Sequence, residues 1–324
     1  MQTAAKVGGF ALGLAAVFTA ALGLGHAAGP VRTAPAADTT GTTHGHGAAG
    51  DPAPGPDAQL PPGLQITQDG YRLTPLPAAL AVGEPQPFRF QITGPDRAPV
   101  TRYTRSHDKD LHLIVVRRDL SGFQHVHPTL GADGTWTIPL AAPAAGQYRV
   151  FADFQPAGRP RGLTLGVDVA APGDYRPVAL PAPARIATVD GYAVRLDGDL
   201  TPGADSKLTL SISKDGRPVL DLQPYLGAYG HLVALRDGDL AYLHVHPDGA
   251  PGDGRTAAGP QVTFYAEVPS DGSYRLYLDF QHAGKVRTAA FTAVAGVPAA
   301  APTPGPASPS SVPTGPDATG HTHE

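Results

Sequence analysis

The sequence predicts an all-β protein: two tandem immunoglobulin-like β-sandwich domains, preceded by an N-terminal hydrophobic signal or anchor helix and flanked by disordered tails. Three observations carry this. Short alternating runs of Val, Ile, Leu, Tyr and Phe are separated by Gly, Asp and Pro clusters, the pattern of half-buried strands joined by turns. Gly (40) and Pro (36) are abundant, which favours turns and loose ends over helix bundles. The chain also repeats itself. His-Val-His-Pro occurs at His125–Pro128 and at His244–Pro247, each copy 13 residues after another histidine, His112 or His231. Tyr-Arg, three apolar residues and Asp-Phe-Gln follow at Tyr148–Gln155 and Tyr274–Gln281.

Residues 1–28 read as a signal peptide or membrane anchor. Lys6 precedes an uncharged run of 19 residues, Val7 to Gly25, near the ~20 needed to span a bilayer. Gly25-His26-Ala27 offers a small-x-small cleavage site. Retained, this segment attaches the protein to the membrane; cleaved, it leaves a secreted protein. Residues 29–62 are Pro, Ala, Gly and Thr with few large apolar side chains. They cannot bury enough surface to offset chain entropy and read as a disordered linker. The first β domain, 63–171, has expected strands near 70–73, 86–93, 110–117, 122–127, 135–140, 146–154 and 163–169. Residues 172–184 form a Pro-rich, stiff spacer. The second domain, 185–295, has expected strands near 192–196, 207–214, 230–236, 240–246, 262–268, 272–280 and 285–294. Residues 296–324 return to tail composition.

Composition excludes several classes of function. The net charge is −4 with no basic patch, so nucleic acid is not an expected partner. With no cysteine, and Met1 the only methionine, disulfides, thiolate sites and thioether copper sites are absent. No Gly-x-Ser-x-Gly, phosphate loop or His-Glu-x-x-His occurs, and the protein is not expected to be an enzyme. The catalytic alternative is a three-histidine zinc centre with an aspartate base, for which no substrate pocket is legible. Trp136, Tyr148 and Tyr274 alternate with polar residues and read as core.

The histidine spacing supports a geometric argument. Residues 118–121 and 237–238 or 238–239 read as hairpin turns, and directly opposite residues of a hairpin point to one side of the sheet. Any loop of even length therefore places His112, His125 and His127 on one face. In the second copy it does the same for His231, His244 and His246. Side chains two apart along a strand have Cα atoms ~6.6 Å apart, so two imidazoles can converge on an ion at about 2.0–2.1 Å. Asp153 and Asp279, in the Asp-Phe-Gln segments, are candidates for a further ligand or for orienting an imidazole. His107 and His282 are additional candidates. Imidazole with a carboxylate and no sulfur suits a copper or zinc ion. The His-x-His pairs at His44/His46 and His321/His323 suggest weak chelation in the tails.

The same histidines have a purely structural reading. The face of His112 also carries Ile114 and Val116, and that of His231 carries Val233 and Leu235. Buried His–Asp hydrogen bonds would hold such a core without an ion, leaving a non-catalytic interaction or adhesion module.

The segments Asp108–Val116, Phe123–Pro128, Pro224–Leu235 and Leu240–Pro247 resemble exported or membrane-anchored actinobacterial-type proteins with duplicated His-x-His-Pro β domains. That group is loosely similar to periplasmic copper-binding β-sandwiches. The resemblance implies an exported or membrane-anchored β protein and no settled activity. The expected partners are a metal ion and another exported or membrane protein.

Overall fold

The computed structural model describes residues 60–76, 79–243 and 245–296. The N-terminal hydrophobic segment, the paired tail histidines and His244 lie outside these residues. Among the described residues no helix is long and apolar enough to cross a membrane. All regular structure among them is β.

The first copy comprises β1 (Thr67–Gln68), β2 (Tyr71–Leu76), β3 (Gln86–Thr93), β4 (Leu111–Arg117), β5 (Gln124–Val126), β6 (Thr129–Leu130), β7 (Thr135–Leu140), β8 (Gly146–Phe154) and β9 (Leu163–Ala171). The second comprises β10 (Ile186–Val189), β11 (Tyr192–Asp197), β12 (Asp205–Lys214), β13 (Arg217–Pro218), β14 (His231–Arg236), β15 (Val245–Pro247), β16 (Gln261–Glu267), β17 (Gly272–His282) and β18 (Lys285–Ala295). Sheet order in the first copy is β1-β2-β3-β7-β6 opposite β5-β4-β8-β9. In the second it is β10-β11-β12-β16-β15, with β13 on β12, opposite β14-β17-β18. Labelled as immunoglobulin strands, these are ABED against C′CFG in the first copy and ABED against CFG in the second.

Each copy also has the tyrosine corner of that fold. Tyr148 Oη donates to the Ala144 carbonyl and Tyr274 Oη to the Ser270 carbonyl, both at 2.8 Å. Both rings are fully buried, as is Trp136. Their polar atoms are thereby satisfied while the rings fill the sandwich interiors.

The repeated strand β4 is buried along its whole length, and its two faces go to different places. Leu111, Leu113 and Val115 enter the interior of the first sandwich. Ile114 and Val116 point outward and pack with Leu120 and Phe151 against Val233, Leu235, Leu240 and Tyr277 of the second copy. A third apolar core therefore lies between the copies, where the β4 sheet meets the β14 sheet. Phe123 stacks on Tyr277 with ring centroids 3.9 Å apart, and Tyr277 Oη donates to the Leu120 carbonyl at 2.5 Å. Burying each large apolar side chain of this core contributes roughly 1.5–3 kcal/mol.

The linker is not a free spacer. Val178 N–H donates to Asp119 Oδ2 at 2.7 Å, and the Arg117 guanidinium lies 5.5 Å from the Tyr175 ring centre. Leu180 packs against the inter-copy core. Upstream, Tyr242 N–H donates to the Pro62 carbonyl and Arg149 reaches the carbonyls of Gly63 and Leu64. The entering chain thus ties both copies together.

The second copy departs from the expected hairpin. Tyr242 forms a single bridge to Leu235, and the chain then crosses to the other sheet, where β15 pairs Val245 with Ala266 and His246 with Tyr265. Leu243 helps explain the early crossing, because it is buried in the second sandwich core. Its counterpart in the first copy, Gln124, is half-buried and donates to the Ala141 carbonyl.

Candidate metal centre

In the first copy the register Ile114↔His125 leaves the four residues 118–121 as an even loop. Carried one pair outward, it sets His127 opposite His112, so the three histidines share the outward face of β4 and β5. That face is the one covered by the second copy. One ring nitrogen from each of His112, His125 and His127 lies within 4.8 Å of the others. His112 Nδ1 is 3.0 Å from His125 Nε2 and 3.2 Å from His127 Nε2.

The other nitrogens of His112 and His125 are held in ways that aim these two inward. Residues 106–109 form a tight turn in which His107 and Asp108 both have positive φ, 49° and 61°. The Ser106 carbonyl at its start accepts the His112 Nε2–H at 3.0 Å. That fixes the tautomer and leaves the Nδ1 lone pair facing its neighbours. His125 Nδ1–H donates to Asp279 Oδ2 of the second copy at 2.8 Å, and Asp279 Oδ1 accepts from Thr288 at 2.5 Å. A carboxylate behind an imidazole in this manner is the usual support of a metal-ligating histidine.

The second copy repeats the turn device. Leu226 and Gly227 take positive φ values of 53° and 73°, and the Tyr225 carbonyl accepts the His231 Nε2–H at 2.8 Å. Ser106 and Tyr225 each lie six residues before a repeated histidine but share no side-chain type. A carbonyl as the orienting group leaves no side-chain signature, so pattern reading misses it. His231 stands beside the first copy's histidines, with its ring 6.4 Å from His112 and 6.2 Å from His125 between centroids. His107 lies 5.3 Å from His231 and is exposed.

Burial governs the charge of this cluster. It pushes His112 down to about 3, with His125, His231 and His107 adding to the effect against the Ser106 carbonyl. His127 is likewise lowered to about 3 by burial and by His125 and His112. Burial lowers His231 to about 4, partly offset by the Tyr225 carbonyl. These three rings are neutral at neutral pH, the state in which imidazole is a ligand.

The remaining candidates are placed elsewhere. Asp153 pairs with His112 in register on β8, as Asp279 pairs with His231 on β17. His246 is exposed on β15, outside the group of three. His282 ends β17, where it meets the Tyr192 hydroxyl at 2.6 Å and Asp221 at 3.0 Å.

No curated protein matches the chain in sequence. Among solved structures, the Escherichia coli adhesin FdeC is 12% identical over 71% of this chain and 65% of its own, with a TM-score of 0.23. A putative membrane anchored protein from Corynebacterium diphtheriae is 10% identical over 71% and 60%, with a TM-score of 0.21. The D0–D1 domain of intimin is 10% identical over 68% and 96%, with a TM-score of 0.20. The chain thus spans less than two thirds of the first two, and likeness this slight carries no function across. The family model described as a domain of unknown function (DUF8832) matches residues 66–171 and again 187–296; the chain belongs to that family and carries its domain twice.

Proposed function

We propose that this is an extracytoplasmic metal-binding protein that holds one copper or zinc ion at the junction of its two β domains, in sequestration or delivery. His112 Nδ1, His125 Nε2 and His127 Nε2 would hold the ion, and Asp279 would orient His125.

The observation that carries the reading is the pair of contacts on His112 Nδ1. Its Nε2–H is already given to Ser106, so Nδ1 has one lone pair and no proton. Two imidazole nitrogens press on it at 3.0 and 3.2 Å. A proton on one neighbour satisfies one contact and leaves nitrogen against nitrogen at the other. A single cation satisfies all three. Nitrogens arranged tetrahedrally at about 2.0–2.1 Å from an ion stand ~3.3 Å apart, close to the observed spacing. Three imidazoles without sulfur suit Cu(II) or Zn(II).

A second reading has one observation of its own. His125 and Asp279 form a buried contact between the copies, which would serve domain docking in a non-catalytic interaction module without any ion. Metal analysis of the purified protein after micromolar copper or zinc supply separates the two. One ion per chain, lost in the His125→Ala/His127→Ala double variant, supports the metal reading. An ion-free wild-type protein leaves the structural one.

A further inference from the structure

We infer that His231 of the second copy is the fourth ligand of the same ion, so that the metal joins the two β domains. This rests on the metal reading above and adds to it a ligand from the other half of the chain.

His231 is prepared as His112 is. Each donates Nε2–H to the carbonyl six residues upstream, at 2.8 and 3.0 Å. Each is buried, at 9% and 7% exposure. With Nε2–H given to the Tyr225 carbonyl, His231 Nδ1 is the accepting nitrogen, and among the described residues no donor reaches it. The ring is also on the correct side. The outward face of β14 that carries Val233 and Leu235 packs against the outward face of β4 that carries Ile114 and Val116. His231 and His112 stand at matching ends of those two rows, which brings the rings together across the junction.

The distances define the movement required. Within the trio, ring centroids are 5.3, 5.0 and 4.9 Å apart. Imidazoles arranged tetrahedrally around one ion have centroids ~5.2 Å apart, from a metal–nitrogen distance of about 2.0–2.1 Å. The trio already meets that spacing. His231, at 6.2 and 6.4 Å from two of its members, must close by about 1 Å. His107 is the competing fourth ligand. It is exposed, its Nδ1 meets Ser106 Oγ at 3.2 Å, and within the trio its ring contacts only His112, at 6.0 Å. His231 contacts two trio members, and its Nδ1 is the accepting nitrogen.

The test is X-ray absorption at the zinc edge on the full chain loaded with one equivalent of zinc, with affinity measured by chelator competition. The variants are His231→Gln, whose amide N–H can still serve the Tyr225 carbonyl, and His107→Ala. Expected are four imidazoles in the wild type and in His107→Ala. In His231→Gln the expected shell has three imidazoles and a light oxygen ligand, with affinity at least ~10-fold weaker. A wild-type shell with only three imidazoles, or an unchanged shell and affinity in His231→Gln, overturns the inference and leaves the three-histidine site standing. A wild-type protein that takes up no zinc or copper overturns the underlying metal reading as well. Circular dichroism of ion-free His231→Gln confirms that any loss is not unfolding.

Discussion

His125 and Asp279 lie 154 residues apart in the chain and meet at 2.8 Å, one from each copy of the domain. The contact makes the second copy part of the first copy's histidine cluster. It also gives Asp279 two separable roles, holding the imidazole and holding the domains.

Asp279→Ala removes the acceptor behind His125 and frees the ring to turn. Copper or zinc affinity, measured by chelator competition, is expected to fall ~10–100-fold, as for the loss of other carboxylates that orient ligating histidines. Asp279→Asn, which keeps an acceptor oxygen of the same reach, should lose less. Equal affinity in wild type and Asp279→Ala would separate the contact from any metal role.

The ion-free protein should be sensitive to mild acid. His112, His127 and His231 have folded values lowered to about 3, 3 and 4 from 6.5. As pH falls below ~6.5 the unfolded chain takes up protons at these rings and the folded chain does not. Stability from these groups is therefore fully present above ~6.5 and is lost progressively down to about 3–4, by up to ~1.4 kcal/mol per pH unit for each group. Urea unfolding at pH 7 and pH 5 measures the slope. His112→Gln should flatten it, and an unchanged slope would contradict the burial of these rings.

Tyr277 joins the copies through its stack on Phe123 and its bond to the Leu120 carbonyl. Tyr277→Phe should cost about 0.5–1.5 kcal/mol by loss of the hydrogen bond. Tyr277→Ala should cost ~3–5 kcal/mol through the lost ring and the void it leaves. Thermal unfolding should show two transitions in the alanine variant if the copies uncouple; a single unshifted transition in both variants would mean the inter-copy core contributes nothing.

Asp119 anchors the turn after β4 and the linker together. It accepts from Arg117 at 2.9 and 2.7 Å, from the Ser121 hydroxyl at 2.6 Å and from Val178 N–H. Burial alone would raise its value, yet these bonds hold it down at about 2. Its stabilising contribution is therefore present above ~3.8 and lost only as pH falls through about 2, well below the histidine window. Asp119→Ala leaves a buried guanidinium without its partner and should destabilise by about 3–5 kcal/mol in equilibrium unfolding at pH 7.

His246→Ala and His282→Ala should leave ion stoichiometry and affinity unchanged, as metal analysis and chelator competition would show. His246 is exposed on β15, which pairs with β16 in the sheet opposite β14, and His282 is engaged with Tyr192 and Asp221. Loss of the ion in either variant would place the centre elsewhere.

Most strands were legible, because period-two alternation and Gly, Asp and Pro breaks are local signals. The segments 86–93, 135–140 and 146–154 coincide with β3, β7 and β8. The short edge strands β1, β6, β10 and β13 were not, since two to four residues carry too little pattern. The strand expected at 240–246 failed for a tertiary reason. Hairpin rules keep that segment beside β14, but Leu243 is buried in the sandwich core and β15 forms on the opposite sheet. The double-faced hydrophobicity of β4 was visible as well. Its meaning was not, because an apolar face does not name what will cover it.

By itself the sequence determined that His112, His125 and His127 share a face of one sheet if the loop between their strands is even, because side chains alternate along a strand. The register Ile114↔His125 supplies the even loop. Only the tertiary structure decided that this face meets the face of His231, and that Asp279 reaches across to His125. Backbone geometry sets the side to which a side chain points. What stands on that side depends on which two apolar surfaces fit, here Ile114 and Val116 against Val233 and Leu235. That choice set His231 of the second copy beside the first copy's three histidines.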